Sequence, residues 1–520
     1  MKKKTKVIIV LVAMAVLIVL CWKNSEDKKK EEPITITAMV RDFNRDRTQY
    51  IDELFEKYTN VNIEWDIIPF EDYASVLELR MESGELPDLF QIDREQAQEF
   101  YDKEIFVDFS EYLDQMPNLQ KWMKEFPSIY YNSADAEGNI YCLDSFNTRG
   151  TVPGMPIYRK DIFEKGGVAI PQTMEELYDA LVILKEKYPD TIPVVNRWGV
   201  GNLVNSVAML YQCKMGFYLD NKELVYKYGP VTENFKEAIK MLQKFYAADL
   251  IDKEFATISD QQFEERIVSG KGLFMFSEYL YCLNTGYEGD WTGKGKENNP
   301  DFELEPMNPP STEFGPGLVD VQEPSNRGHF SVAINADSKY VDEIIKLLDY
   351  QLSDEIINLV NWGVEGETYE VKDGQKQWLI GYEERMEKGL DARSGMWIPI
   401  DVDCKESGLN PKDTAFCKKA NENIKRYAFY REKTVLSFTS EEQQRIDEIM
   451  DPIYQYCNEQ YIKFITGELN MEEEWEQFVD RITEMGYEIV LEMYQKKYEE
   501  LPRERKGLNT EVGLYSVEKE

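Results

Sequence analysis

YRKDIFEKGGVAIPQTMEELYDAL, running from Tyr158 to Leu181, decides how the rest of the chain is read. An apolar patch ending at Ile157-Tyr158 gives way to a short helix, Asp161 to Lys165, which Gly166-Gly167 stops. Pro171 sets up a second helix with Thr173 as N-cap and Glu176 three residues on, the spacing at which two free amides are satisfied reciprocally in a capping box. A strand followed by two capped helices predicts an α/β protein, and the stretch marks a place where the chain crosses between two bodies.

Four further stretches surround it in order. Leu86-Pro87-Asp88-Leu89-Phe90 reads as a strand, and Gly138-Asn139-Ile140-Tyr141-Cys142-Leu143 as another before the crossover. Ser331-Val332-Ala333-Ile334-Asn335 precedes a helix and then Trp362-Gly363-Val364-Glu365-Gly366-Glu367-Thr368-Tyr369, and a closing helix is predicted over Trp475 to Tyr498. Each motif is weak alone. Together, across roughly residues 34 to 500, they resemble the family 1 extracellular solute-binding proteins of ABC importers, particularly the long lipoprotein branch that collects oligosaccharides. The resemblance implies a two-lobed, periplasmic-binding-protein type II-like α/β fold. Each lobe is expected to hold a mainly parallel sheet flanked by helices, with extra helices at the C-terminus. Lobe 1 is expected from residues 34–147 plus 328–385, and lobe 2 from 148–327 plus 386–520.

Composition agrees. A chain of 520 residues exceeds one ordinary core. Apolar residues at 42% give ample material to bury, and 32 Tyr suit amphipathic, sugar-compatible surfaces. The net charge of −37 repels polyanions, so nucleic acid is not an expected partner.

The N-terminus reads as an export signal. Lys2, Lys3, Lys4 and Lys6 precede an apolar run from Val7 to Leu20 that is shorter than the ~20 residues a spanning helix needs. Cys21 then resembles the diacylglyceryl-modified cysteine of bacterial lipoproteins, which places the folded part on the outer face of the cytoplasmic membrane. Leu20 departs from the small residue which that pattern wants, and an uncleaved anchor over residues 1–22 is the alternative. Lys23 to Pro33 is a charged tether with too little apolar area to fold. Cys142, Cys213, Cys282, Cys404, Cys417 and Cys457 match no zinc spacing and read as buried apolar residues.

After the tether, strands at Ile34 to Val40, Val61 to Ile68 and Asp88 to Ile92 alternate with helices at Thr48 to Tyr58 and Tyr73 to Ser83, an order that implies parallel strands. Lobe 2 should carry helices near Met174 to Lys187, Phe235 to Ala247 and Asp260 to Ser269, the last capped by Ser259 with Gln262 three residues on. A buried strand is expected over Gly270 to Phe276. Thr285 to Arg327 shows little periodicity and reads as a ligand-facing loop. The chain should re-enter lobe 1 at Phe330 and leave it near Gly374 to Trp397.

Ligands of such sheets sit beyond the strands' carboxyl ends. Sugar recognition needs flat aromatic faces for pyranose C–H groups and planar polar side chains for pairs of hydroxyls. Arg41 and Asp42 follow the first strand; Asp93 and Arg94 follow the third, where the maltose-binding relatives place a sugar-contacting Asp-Arg pair. Phe146, Asn147 and Arg149 lie where the chain first crosses. Trp198 follows a strand of lobe 2, and Trp291, Trp362 and Trp397 lie in or beside Gly-rich loops, Trp397 being the first choice. Arg327, just before the return, completes the candidate set. A lone tryptophan is more often core than platform, and for the charged pairs a surface ion pair or helix cap is the competing reading.

No metal or cofactor is expected. The EF-hand-like loop of some relatives would fall at Tyr188-Pro189-Asp190-Thr191, which lacks the required acidic run. Asp42, Asn44, Asp46 and Glu53 have calcium-loop spacing, but Arg47 replaces the turn glycine. The one histidine, His329, and the absence of nucleophile, zinc-protease and phosphate-loop motifs point away from an enzyme. The expected function is a monomeric, membrane-anchored receptor that closes on an oligosaccharide and delivers it to two ABC permease subunits. A surface glycan-binding or sensor-linked protein is the alternative, and a glycoside hydrolase a further one. The charge favours neutral sugars, although Arg41, Arg94, Arg149 and Arg327 would reverse that locally.

Overall fold

The structure, a computed structural model, describes residues 33–41, 49–69, 72–98, 100–135, 137–148, 154–278, 291–321, 324–325, 331–372, 374–390, 398–399, 401 and 426–510. β1 (Ile34–Arg41), β2 (Val61–Ile68) and β3 (Leu89–Ile92) run parallel, joined by α1 (Gln49–Thr59) and α2 (Tyr73–Ser83). The short α3 (Arg94–Gln98) starts just past β3, and α4 (Pro117–Glu125) and α5 (Pro127–Ser133) follow, each with proline in its first turn, where its missing N–H costs nothing. β11 (Ser331–Ile334) completes the sheet antiparallel to β3, with Ser331 opposite Ile92.

The second sheet contains β4 (Met155–Arg159), β5 (Ile192–Val194), β8 (Gly272–Glu278) and β9 (Leu304–Pro306) in the order β5-β8-β4-β9. β5 and β8 are parallel while β4 is antiparallel to both β8 and β9, so β4 alone is reversed. In each sheet the reversed strand is the one beside a passage between lobes, β4 or β11. A strand begun at the end where its neighbours finish must run against them. Both lobes therefore keep three strands pointing to one end, and that shared direction fixes where the loops gather.

Tyr158 to Asp161 forms the centre of the second lobe. Arg159 is 1% exposed, and its Nε and Nη2 donate to Asp161 Oδ1 and Oδ2, both at 2.8 Å. Its Nη1 reaches Gly270 O at 3.2 Å, and the guanidinium lies 3.9 Å from the Phe302 ring centroid. One side chain thus ties β4 to both its neighbours' flanks. The short helix α6 (Lys160–Gly166) ends at Gly167, whose φ of 66° is the left-handed cap glycine tolerates. α7 (Met174–Lys187) is capped by Thr173 Oγ1, which accepts from Glu176 N at 3.1 Å, but Glu176 returns to Gln172 N instead of the Thr173 amide. The reciprocal half of the expected box is displaced by one residue.

The remaining second-lobe helices are α8 (Gly199–Leu210), α9 (Glu233–Ala247) and α10 (Asp260–Val268), the last with a complete Ser259/Gln262 capping box. A hairpin of β6 (Phe217–Leu219) and β7 (Tyr226–Tyr228) packs nearby. The stretch 285–327 is not wholly loop: it contains α11 (Trp291–Asn298), β9 and β10 (Val319–Asp320). Glycine there serves packing, because a Cβ on Gly295 would lie 2.6 Å from Phe302 ring atoms. Tertiary contact overrides the weak helix propensity of Gly293 and Gly295.

After β11 the first lobe adds α12 (Val341–Gln351), α13 (Asp354–Trp362), the hairpin of β12 (Tyr369–Lys372) and β13 (Gln375–Trp378), and α14 (Tyr382–Glu387). The boundary expected at residue 385 lies too early. Leu390 and Ile398 pack into the first lobe's core, and Asp401 N donates to Asn361 Oδ1 at 2.9 Å. The chain returns to the second lobe through β14 (Ala428–Phe429), parallel to β10, and ends in α15 (Ser440–Thr466), α16 (Met471–Met485) and α17 (Tyr487–Glu500). Gly486, at φ 99°, breaks the single closing helix expected over Trp475 to Tyr498 into two. One core draws on residues between Ile36 and Phe146 and between Val332 and Ile398; the other draws on those between Tyr158 and Met307 and between Phe429 and Tyr498. Cys142, Cys213 and Cys457 are free and buried, and burial pushes the Cys457 thiol up to about 11.

An ion cluster fastens the last return. Asp320 accepts from Lys214 Nζ at 3.3 Å and from Arg431 Nε at 3.1 Å, joining β10, the segment before β6 and the segment after β14. Burial alone would raise the Asp320 carboxyl, but Lys214 and Arg431 hold it well below the usual carboxylate range. Burial pushes Lys214 itself down, and its attraction to Asp320 offsets only part of that desolvation. A depressed acid adds stability above its unfolded pKa, near 3.9, and loses it as pH falls toward the folded value. Asp320→Asn should therefore cost about 2 kcal/mol at pH 7. Urea melts should show the gap to the wild type narrowing by about 1 kcal/mol per unit below pH 4, and a gap unchanged at pH 3 would contradict this account.

Candidate functional site

At the carboxyl end of the first sheet, β1 finishes in Arg41 and β3 is followed by Asp93 and Arg94. Arg41 is 5% exposed; its Nη2 donates to Asp93 Oδ2 at 2.6 Å, and its backbone N–H to Gln91 Oε1 at 2.9 Å. The guanidinium lies 4.6 Å from the Tyr73 ring centroid, and the Tyr73 hydroxyl sits 2.8 Å from Gln91 O. Burial pushes that hydroxyl far above its ordinary range, so it stays protonated as a donor. The Arg41 head is thereby fixed, while the Asp93 carboxylate keeps about a third of its surface open. Arg94 is turned inward, with Nη2 on Ala134 O at 2.9 Å and on Ser437 Oγ at 3.2 Å.

At the matching end of the second sheet, β5 leads into Asn196-Arg197-Trp198. Trp198 caps α8 with φ 61°, a left-handed conformation that costs a bulky residue about 1–2 kcal/mol. Its ring is 51% exposed, whereas Trp122, Trp291, Trp362 and Trp475 are buried. The Arg197 guanidinium backs the indole at 4.1 Å and lies 5.4 Å from the rings of both Phe263 and Trp291. Arg197 also pairs with Glu278, the last residue of β8, which is 3% exposed. Asn196 Nδ2 donates to Gly199 O at 2.9 Å and Asn202 Nδ2 to Asn196 Oδ1 at 3.1 Å, locking the turn beneath the ring. A strained residue held this firmly, with its largest apolar face in water, is an arrangement folding alone does not favour.

Between the two rims, the outgoing and returning chains lie side by side. Phe146 and Ser325 form an antiparallel bridge, and Asn147 N donates to Pro324 O at 2.8 Å. Buried Asp144 accepts from Ser325 Oγ at 2.9 Å and from Ser331 Oγ at 3.0 Å. Phe146 itself is core, 5.4 Å from Trp122. Trp291 is also interior, packed edge-on to Phe263 at 5.5 Å. Trp362 is stacked on Trp378 at 4.8 Å with Nε1 given to Asp401, so neither of these two tryptophans presents an open face. Asp42, Arg149, Arg327, Trp397 and the lipidation residue Cys21 lie outside the described residues.

Glu278, Gln91, Tyr73 and Asp144 escaped the sequence reading. An acid closing the otherwise apolar Gly272–Glu278 strand was the available signal for Glu278. A pocket of about 530 Å³ lies elsewhere on the second lobe, lined by Thr173, Glu175, Tyr211, Lys240, Lys244 and Glu313 among others, and includes no rim residue. Among the described residues no group of three acidic, histidine or cysteine side chains is placed to hold a metal ion, and no helix is long and apolar enough to cross a membrane.

With this geometry established, comparison with known proteins is informative. The family described as bacterial extracellular solute-binding protein matches residues 44–356. Lipoprotein LipO of Bacillus subtilis is 24% identical over 336 residues, 61% of this chain, and the match spans 64% of that relative's own length. The polygalacturonan/rhamnogalacturonan-binding protein YtcQ of the same organism is 20% identical over 467 residues, covering 86% of this chain and 87% of the relative. Among solved structures, the alginate-binding protein AlgQ2 without calcium ion superposes with a TM-score of 0.72 at 22% identity, over 90% of this chain and 98% of that one.

Proposed function

The chain belongs to the bacterial extracellular solute-binding proteins, and from that premise we propose that it is the capture component of an ABC importer, holding an oligosaccharide between its two lobes. The observation that carries the reading is Trp198: an exposed, conformationally strained indole, backed by Arg197, at the end of the sheet where such folds take their ligands. An indole face covers the apolar side of a pyranose, and Asp93 with Arg41 supplies planar hydrogen-bonding groups for hydroxyl pairs on the opposite rim. The likeness to a polygalacturonan/rhamnogalacturonan-binding protein and to an alginate-binding protein supports a carbohydrate.

Ligand touching both rims would favour a closed arrangement by its differential affinity, with the paired crossing strands at Phe146 and Ser325 as the flexing element. Delivery to two permease subunits, anchoring through Cys21 on the outer membrane face, a monomeric state and the absence of turnover belong to the same proposal. A thermal-shift screen of the full chain against neutral and acidic plant and host oligosaccharides tests it. A true ligand at a hundredfold excess over its Kd should stabilise by about 2.7 kcal/mol. Shifts given only by amino acids or peptides would refute the sugar reading, and hydrolysis of a bound sugar would refute the non-enzymatic one.

A further inference from the structure

Two arginines at the seam between the lobes are buried without an ion-pair partner among the described residues. Arg94 is 4% exposed and Arg505 is 7% exposed. Arg94 belongs to the first lobe's rim, next to Asp93, whereas Arg505 lies in the C-terminal segment after α17, and residues 434 and 435, between β14 and α15, reach the same place. Thr434 Oγ1 donates to Arg505 O at 3.1 Å, and Val435 N donates to Asn132 Oδ1 at 3.3 Å.

Every hydrogen bond of the two guanidinium groups goes to a neutral acceptor. Arg94 Nη2 donates to Ala134 O and Ser437 Oγ; Arg505 Nη1 donates to Asp135 O at 3.1 Å, and its Nη2 donates to Tyr131 O at 3.4 Å and Ala134 O at 3.3 Å. The two groups share Ala134 O, which puts their Nη2 atoms at most about 6 Å apart. Arg94 Nε, Arg94 Nη1 and Arg505 Nε have no partner among the described residues. Asp135, an acid that acts on Arg505 through charge, is engaged by its own turn, accepting from Gly138 N and Asn139 N at 2.8 Å and from Asn139 Nδ2 at 3.0 Å.

Guanidinium cannot shed its proton in a protein, so the charge must be met by a partner. Buried charges are as a rule paired, and two like charges this close oppose one another as well. Burial, and the neighbouring Arg94, push Arg505 below its ordinary range, which is the direction expected of a cation lacking its anion.

We propose that Arg94 and Arg505 form a binding site for a carboxylate-class monoanion, received by the three unpartnered guanidinium nitrogens at the seam between the lobes. The anion has two possible sources, a uronate carboxylate of the bound oligosaccharide or a free small anion from the medium. The first source rests on the carbohydrate reading above; the second does not. Either would take up one of the pair's two positive charges, and bridge them, only while first-lobe Arg94 and C-terminal Arg505 remain together, so occupancy stabilises their juxtaposition.

The test is thermal unfolding of the full chain during titration with sodium acetate, ionic strength being held with sodium HEPES, whose bulky sulfonate does not fit a buried site. Acetate should raise Tm saturably by about 2–4 °C in the wild type and by none of that in Arg505→Gln or Arg94→Gln. Acetate that leaves wild-type Tm unchanged, or raises wild type and both variants alike, overturns the proposal; if the variants do not fold, the wild-type titration alone decides. Trigalacturonate and its carboxyl-reduced neutral counterpart then separate the sources. Competition between acetate and trigalacturonate assigns the site to the sugar's carboxylate, and additive shifts assign it to a free anion. An acetate response with no response to any sugar would keep the anion site and reject the carbohydrate function.

Discussion

Trp198→Ala is expected to weaken oligosaccharide binding by about 2–3 kcal/mol, roughly 30- to 150-fold in Kd, while leaving the protein folded. The size follows from what the ring contributes: a rigid apolar face held by Arg197, Glu278 and Asn196 before the ligand arrives, so that little ordering entropy remains to be lost on binding. The fold loses little, since Trp198 is half exposed and its cation–π contact with Arg197 is worth about 0.5–1 kcal/mol at an exposed site. Trp198→Gly adds a second readout. At φ 61° glycine carries none of the left-handed penalty alanine retains, so the glycine variant should be about 1 kcal/mol more stable than the alanine variant, with binding equally lost. Calorimetry with the ligand found in the screen, together with urea melts, checks both. Undiminished affinity in either variant would remove Trp198 from the site, and equal stability of the two would remove strain from the explanation.

How much of this was legible beforehand depended on whether the signal was local. β2 and α2 were predicted with their observed bounds, because period-two alternation and helical spacing are written into consecutive residues, and the Ser259 capping box likewise needs only four positions. Residues 285–327, rich in Gly, Pro, Asn and Asp and with little periodicity, read as a loop around Trp291, and nothing local reveals that Phe302 packs where a Cβ on Gly295 would stand. The single closing helix over Trp475 to Tyr498 was an expectation from the family's pattern, which did not show that Gly486 takes a positive φ and divides it. The placement of Arg41, Asp93 and Trp198 at strand ends was legible because strand ends are predictable and sheets of this kind gather their loops at one end; their contact with a ligand is part of the proposal. Trp198 could not be told from Trp291 or Trp362 by sequence, for exposure is a property of the whole lobe. Glu278, Gln91 and Asp144 act across 81, 50 and 181 residues of chain, distances at which only the assembled structure speaks.

The largest loss of stability is expected from Asp161→Asn, about 3–5 kcal/mol, because it keeps the shape of the side chain and removes the charge from a pair buried to 1% and 5% exposure. Arg159 would then stand charged beside the Phe302 ring with only neutral acceptors, Gly270 O and one amide oxygen, in place of a carboxylate. Asp161 Oδ1 also accepts from Glu303 N at 3.3 Å, so the change loosens the run into β9 on one side of β4 as well as the turn before β8 on the other. Shape and charge are separable by a double variant, Arg159→Met with Asp161→Leu. Apolar groups of similar volume leave no ion to desolvate, and the double variant should recover more than half of the single variant's loss. Urea melts of the full chain, followed through the second lobe's tyrosine and tryptophan signals, measure both. A single-variant cost below 1 kcal/mol would mean that water reaches Arg159; a double variant no better than the single would mean that the hydrogen bonds to Gly270 and Glu303, and not the buried charge, hold β4 between its neighbours.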